Sequence, residues 1–268
     1  MLFNDNKPTP LWFIICGRKI LVKTDRDRVE IPAMKSLTDI GLKPLREHYV
    51  GAVRGQDCFA AEISEDARIP ENMKLYGTRG MFHHVDKVVF KTVLKALHII
   101  EWDKNDLYCS RCASKMEAKK DERAKICIQC GNIRYPRLSP AVIVLVSRGD
   151  KILLARSPRF EEELYSVLAG FVEPGETLED TVKREIKEEV GIDVGEIRYF
   201  GSQHWPFPDS LMIAFTAKYA GGEISIDESE IVRAAWFDYR QLPAIPGKLS
   251  IAREMIDWFI AERENDKQ

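Results

Sequence analysis

No stretch of this chain stays apolar for the roughly 20 residues that a helix needs to cross a bilayer, so the sequence predicts no membrane span. A basic leader is missing as well. The apolar run Leu11–Ile15 follows Asn4, Asp5 and Pro8, which argues against a secretory signal and for a cytoplasmic protein. Excess charge is also lacking: 40 Lys and Arg against 42 Asp and Glu leave a formal net charge of -2. Neither nucleic acid nor an anionic membrane is attracted by the overall field, and a phosphate-bearing ligand must be held by local donors and metal. Cysteine is scarce, six in 268 residues, and four of the six fall between 109 and 130. That distribution excludes a disulfide framework. No internal repeat and no low-complexity tract is visible.

What is present reads as three pieces. Residues 1–105 carry short apolar runs at Leu11–Ile15, Ile20–Val22, Tyr49–Val53 and Phe59–Ile63, then a helical period from Phe82 to Trp102, and predict a small N-terminal α+β domain. Arg79, His83 and His84 could line a site but belong to no partnered motif, and Cys16 and Cys58 read as buried thiols. Residues 106–137 hold Cys109-x2-Cys112 and Cys127-x2-Cys130, fourteen residues apart. Four thiolates at this spacing predict a zinc ribbon, and with no open position for water the Zn²⁺ is structural. Lys115, Lys119, Lys120, Arg123 and Lys125 raise a nucleic-acid contact as the alternative, although Glu117, Asp121 and Glu122 interrupt the positive charge.

Residues 138–268 predict a third domain. Ala141–Ser147 and Lys151–Ala155 form a hairpin around Gly149-Asp150, and Val167–Val172 is a further strand. Strands at Ile197–Gly201, Leu211–Tyr219 and Ala234–Phe237 precede a closing helix over Leu249–Glu262. Between the strands, Thr177 and Asp180 have capping-box spacing, and Gly191 suits the left-handed end of a helix. Leu178, Val182, Ile186 and Val190 give that helix a buried stripe, and Glu185, Glu188 and Glu189 crowd its flank. Carboxylates at i, i+3 and i+4 repel, and a hard divalent cation removes the repulsion. Arg184 stands where it could orient a carboxylate or meet a phosphate oxygen.

The run Gly170, five residues, Glu176, seven residues, Arg184-Glu185-Ile186-Lys187-Glu188-Glu189-Val190-Gly191-Ile192 resembles a complete Nudix box. The resemblance implies an α/β/α sandwich around a mixed sheet, here preceded by the ribbon and the N-terminal domain. It implies Mg²⁺ or Mn²⁺ held by Glu185, Glu188, Glu189 and the Ala169 carbonyl, with Glu188 or Glu189 as the base that activates water. Further on, Ser202-Gln203-His204-Trp205-Pro206-Phe207-Pro208-Asp209-Ser210 resembles the array of the NADH pyrophosphatase subgroup, with His204 in place of a proline. Its prolines predict a rigid loop presenting Trp205 and Phe207, with Gln203 and Ser210 available to hydrogen-bond a nucleotide. The same resemblance implies Glu230 as a further metal ligand, Tyr135 and Phe171 around the nicotinamide, and Ala252 near the substrate. It also implies a homodimer with sites completed across its interface. The expected reaction splits NAD(H) into NMN(H) and AMP, with NAD-capped RNA 5′ ends as a longer substrate. An ADP-ribose or dinucleoside polyphosphate pyrophosphatase is the alternative within the class. A non-catalytic zinc-ribbon nucleic-acid-binding protein is the alternative outside it.

Overall fold

The computed structural model describes residues 8–25, 28–78, 81, 84–160 and 163–266; Arg79, Phe82 and His83 lie outside them. The chain divides into two compact units, Met1–Arg137 and Leu138–Gln268. Among the described residues no helix is long and apolar enough to cross a membrane.

The first unit holds strands β1 (Leu11–Cys16), β2 (Lys19–Asp25), β3 (Arg28–Glu30), β4 (Arg46–Val53), β5 (Gln56–Glu62) and β6 (Met73–Gly77), followed by helix α1 (Lys87–Asn105). Alternation along the strands sends Trp12, Ile14 and Leu21 into a core with Leu37, Ala61 and Ile63. Cys16 and Cys58 are buried free thiols, as their surroundings predict. Helix α1 starts at Lys87, not at Phe82, because Asp86 caps it by accepting from the Val88 and Val89 amides.

The ribbon comprises β7 (Met116–Ala118), β8 (Lys125–Cys127) and β9 (Ile133–Arg134) in one three-stranded sheet. Each cysteine pair sits on a tight turn. Its following residue, Ala113 in one and Gly131 in the other, takes positive φ, 58° and 69°. Lys125 is only 4% exposed. Its Nζ donates to the Asp103 and Asp106 carbonyls at 2.6 and 3.0 Å and pairs with the Asp103 carboxylate at 2.6 Å. The ribbon is thereby fastened to the last turn of α1, whose carbonyls have no intrahelical donor.

The second unit holds β10 (Ser139–Arg148), β11 (Lys151–Arg156), β12 (Leu168–Phe171), α2 (Leu178–Val190), β13 (Asp193–Trp205), β14 (Ser210–Gly221), β15 (Arg233–Asp238) and α3 (Ile251–Asn265). The sheet runs β13-β14-β10-β11-β15, with β12 also on β10. The pair β10–β14 is parallel and the other pairs are antiparallel. Strand β10 is apolar on both faces because both are covered. Val142, Val144 and Val146 pack with Val182, Ile186 and Val190 of α2, whereas Ile143 and Leu145 pack with Met255, Ile256 and Phe259 of α3. This is the expected α/β/α sandwich around a mixed sheet.

The connectivity of this sheet repeats that of the first. In the first unit β4-β5-β1-β2-β6 follow the same order, again with one parallel pair, β1–β5. The repeat is invisible in the sequence because the two sheets share a path and not residues. Between β11 and β13 the second unit inserts β12 and α2. Between β2 and β4 the first has only β3 and a four-residue 3-10 turn, Leu37–Ile40.

Candidate active site

Helix α2 positions the acidic cluster, and its ends are fixed locally. Thr177 and Asp180 form the capping box, and Gly191 ends the helix at φ 76°. Burial of Val182, Ile186 and Val190, each contributing about 1.5–3 kcal/mol, then sets the roll of the helix. The three glutamates meet different surroundings. Glu189 is 6% exposed and its Oε2 is buried without a hydrogen-bond partner. Burial, then the charges of Glu185, Glu230, Asp227 and Glu188, push its carboxyl up to about 8. Glu185 is raised too, chiefly by burial, with the Arg184 hydrogen bond opposing. Glu188 keeps a side chain 59% exposed.

Arg184 uses all five guanidinium N–H groups inside this cluster. Nε and Nη2 donate to the two oxygens of Glu176 at 2.5 and 3.0 Å, and Nη1 to Glu185 and Glu188 at 2.9 Å each. The second Nη2 hydrogen goes to the Phe171 carbonyl at 2.9 Å. Four of the five N–H groups thus face carboxylates, which suits the first of the two roles that the sequence leaves open to it. Its bonds in turn hold the Glu176 carboxyl at about 2.

Opposite the helix, Gly170 of β12 leaves room for the Glu185 carboxylate, which a Cβ at that position would overlap. Ala169 precedes it at an exposed position, and Phe171 follows, 52% exposed. Glu230 stands in the turn before β15, near enough for its charge to act on Glu185 and Glu189. Asp227, which sequence reasoning missed, belongs with them: its N–H donates to the Glu189 carbonyl at 3.0 Å. The only sequence cue to it was its place three residues before Glu230. An unpartnered buried oxygen and a surplus of hard oxygen donors fit a divalent cation.

The segment 202–210 differs from expectation. Ser202–Trp205 are not loop but the end of β13, paired with β14 through Ser202↔Ile213, Gln203↔Met212, His204↔Leu211 and Trp205↔Ser210. Only residues 206–209 form the turn, because Pro206 and Pro208 alone lack the amide a ladder needs. His204 lies in strand, outside that turn. Trp205 and Phe207 pack edge to face with ring centroids 5.4 Å apart, Pro206 and Ser210 are buried, and Phe207 stays 43% exposed. The Asp209 carbonyl accepts from Ser139 N at 2.8 Å. Half-buried Gln203 has one bond at each end of its amide, Nε2 donating to the Leu249 carbonyl at 2.7 Å and Oε1 accepting from Ile251 N at 2.8 Å, which leaves one N–H and one lone pair for a ligand. Both ends of the amide hold the start of α3. Ala252, one residue on, is 5% exposed in the α3 core.

In the first unit the four cysteines converge, their sulfurs within 4.8 Å of one another. Cys109–Cys130, Cys112–Cys127 and Cys112–Cys130 are 3.7, 3.4 and 3.4 Å apart. Tetrahedral zinc with Zn–S of about 2.3 Å requires sulfurs about 3.8 Å apart. The Arg111 amide and the Asn132 side chain donate to Cys109 Sγ, and these donors stabilise thiolate charge. The ribbon's cations are largely engaged: Lys119 with Asp121 and Glu122, Arg123 with the Tyr49 carbonyl, Lys125 with Asp103. Carboxylates thus offset two of the five charges, those of Lys119 and Lys125. Tyr135 is 56% exposed, its hydroxyl donating to Glu122 at 3.2 Å.

Comparison with known proteins agrees with this geometry. Residues 137–259 match the family model of the NUDIX domain. Residues 9–102 match an NADH pyrophosphatase-like rudimentary NUDIX domain, and residues 104–135 match an NADH pyrophosphatase zinc ribbon domain. The chain is 46% identical over 219 residues to the NAD-capped RNA hydrolase NudC of Pseudomonas aeruginosa, covering 82% of this chain and 78% of that one. It is 45% identical over 253 residues to the protein of the same name from Stutzerimonas stutzeri, covering 94% and 90%. A solved NUDIX hydrolase from Nitrosomonas europaea shares the fold, with a TM-score of 0.51 at 22% identity over 59% of this chain and 92% of that one.

Proposed function

The chain belongs to the Nudix hydrolases, in the group with a rudimentary Nudix domain and a zinc ribbon, and from that premise we propose that it hydrolyses NAD(H) to NMN(H) and AMP. NAD at the 5′ end of RNA, which carries the same bond, is the second substrate of this reading. The carrying observation is the buried, unpartnered Glu189 Oε2 beside Glu185 and Glu230. Protein does not keep such an oxygen charged without a cation.

Glu185, Glu188, Glu189, Glu230 and the Ala169 carbonyl would hold Mg²⁺ or Mn²⁺. When bound, the metal neutralises pyrophosphate oxygens and lowers the pKa of water. Glu188 or Glu189 takes the proton of the attacking water. The water oxygen bonds to one phosphorus, the bridging P–O bond breaks, and the bridging oxygen leaves with the other mononucleotide. Arg184, anchored on Glu176, keeps Glu185 and Glu188 oriented. Phe171, Trp205 and Phe207 offer rings for stacking, each worth about 0.5–1.5 kcal/mol, with Tyr135 supplying another. Gln203 and Ala252 act from behind, by fixing the start of α3. The ribbon holds one structural Zn²⁺. A cytoplasmic homodimer completes the reading, and light scattering gives its size. The deciding experiment offers NADH, NAD⁺, ADP-ribose, diadenosine polyphosphate and NAD-capped RNA with each metal and identifies the products. NMN(H) plus AMP as the favoured outcome supports the assignment, and preference for ADP-ribose overturns it.

A further inference from the structure

Strands β11 and β15 run antiparallel, and their last pair in register is Arg156 opposite Arg233. Directly opposed residues of an antiparallel pair project from the same face with Cβ atoms about 4.5–5.5 Å apart, and like charges there are destabilising. The rows they end begin as core: Ile152 and Leu154 precede Arg156 on that face, and Phe237 lies on the same face of β15, all packed towards α3. Two arginine side chains therefore leave the sheet side by side where the apolar rows run out. Arg159, exposed, follows three residues after Arg156. Among the described residues no carboxylate pairs with any of the three. Three other arginines of this unit are matched: Arg184 with three glutamates, Arg240 with Asp238, Arg253 with Asp257.

The pair also lies close to the acidic cluster along the chain. The Val232 amide donates to the Arg156 carbonyl at 2.8 Å, and Arg233 is three residues after Glu230. Three extended residues span at most about 11 Å. The pair leaves the sheet on its α3 face, opposite the face that α2 covers, so it meets the acidic cluster only round the strand end next to Glu230, and a doubled cation there has a use for a substrate with phosphates beyond the bond that is cut. NAD(H) has none, whereas a capped RNA has one at every nucleotide.

We propose that Arg156 and Arg233, assisted by Arg159, form a phosphodiester-binding site for the RNA chain of a substrate whose capped end lies at the glutamates. This rests on the function proposed above. The test compares the full-length protein with an Arg156→Gln/Arg233→Gln variant on NADH and on NAD-capped RNA, across a salt series with Mg²⁺. The variant is expected to lose about tenfold in kcat/KM on capped RNA at low salt while staying within about twofold on NADH. Its plot of log kcat/KM against log salt for RNA should be shallower by about 1.4, two contacts at about 0.7 each for a single strand. Its melting temperature should not fall, since a like-charge pair has been removed. If the double variant folds poorly, Arg233→Gln alone carries the test with a slope change of about 0.7. An unchanged RNA slope, or equal losses on both substrates, overturns the proposal. A wild-type protein active on NADH but not on capped RNA overturns it too, whereas one inactive on both overturns the function proposed above.

Discussion

Gly170→Ala separates the catalytic demand on the box from its structural one. The new methyl overlaps the Glu185 carboxylate, which must rotate away, since the far end of a side chain yields more easily than backbone. Rotation breaks the 2.9 Å bond from Arg184 Nη1, a charge-assisted contact worth about 1.5–3 kcal/mol. Replacing glycine within a strand returns about 0.5–1 kcal/mol, and φ here is not left-handed. The net loss of stability should be about 0.5–2.5 kcal/mol. Activity should suffer more: expelling one cation ligand is expected to lower kcat/KM on NADH by about 10²-fold or more, equivalent to about 2.7 kcal/mol. Turnover and a thermal melt, both with Mn²⁺, read the two effects. In a Glu185→Ala background nothing remains to displace, so the second substitution should change the rate by about twofold at most. Near-normal turnover of a folded Gly170→Ala protein, or full additivity with Glu185→Ala, would refute the argument.

Glu189 governs a pH dependence. Its folded carboxyl is raised from 4.5 to about 8, so its contribution to stability is present below the unfolded value and lost as pH rises from about 4.5 through about 8. Melts in chelator should show that decline, Mg²⁺ should reverse it by binding the folded state, and Glu189→Gln should flatten it while lowering kcat by at least about 10²-fold. Cys112→Ser should release the single zinc seen by elemental analysis and lower the melting temperature, structural zinc being worth several kcal/mol; a variant that keeps its stability counts against the ribbon. Ala113→Gly, at φ 58°, should gain up to about 1 kcal/mol in denaturant unfolding. Gln203→Ala removes two bonds to the start of α3, so it should cost about 1–3 kcal/mol of stability and impair all substrates alike; a loss confined to NADH would restore it as a substrate contact.

Chemistry that depends on local spacing was legible before any coordinates. The glutamates at 185, 188 and 189, the capping box at Thr177 and the two cysteine pairs each lie within one turn or helix, where periodicity dictates geometry. What escaped depends on partners far along the chain. Gln203 meets Leu249 and Ile251, 46 and 48 residues away, and nothing in its neighbours announces this. Lys125 looked like surface charge and is buried against Asp103. The prolines predict loop from Ser202 onward, although both lie beyond Trp205 and leave the ladder intact. Differences among the glutamates were also hidden, because equal spacing on a helix says nothing of what covers each one.

The repeated sheet path has a consequence for how these two units can change over time. In the first unit twenty residues, 26–45, stand where the second has thirty-six, 157–192, and Leu37 of the short turn is packed into the apolar core. Among the described residues of that stretch, nothing obliges a glycine to face a carboxylate or an arginine to spread five bonds over its neighbours. Around that turn the first unit is constrained chiefly by shape, so substitutions that conserve volume should be tolerated there, whereas its cysteine cluster and its Lys125–Asp103 and Arg46–Glu62 pairs fix particular side chains. In the second, the same strands support a set of interlocked charges, and most changes near them should disturb several partners at once. Two halves of like architecture can therefore age at different rates within one gene, until only the path of the chain still shows their kinship.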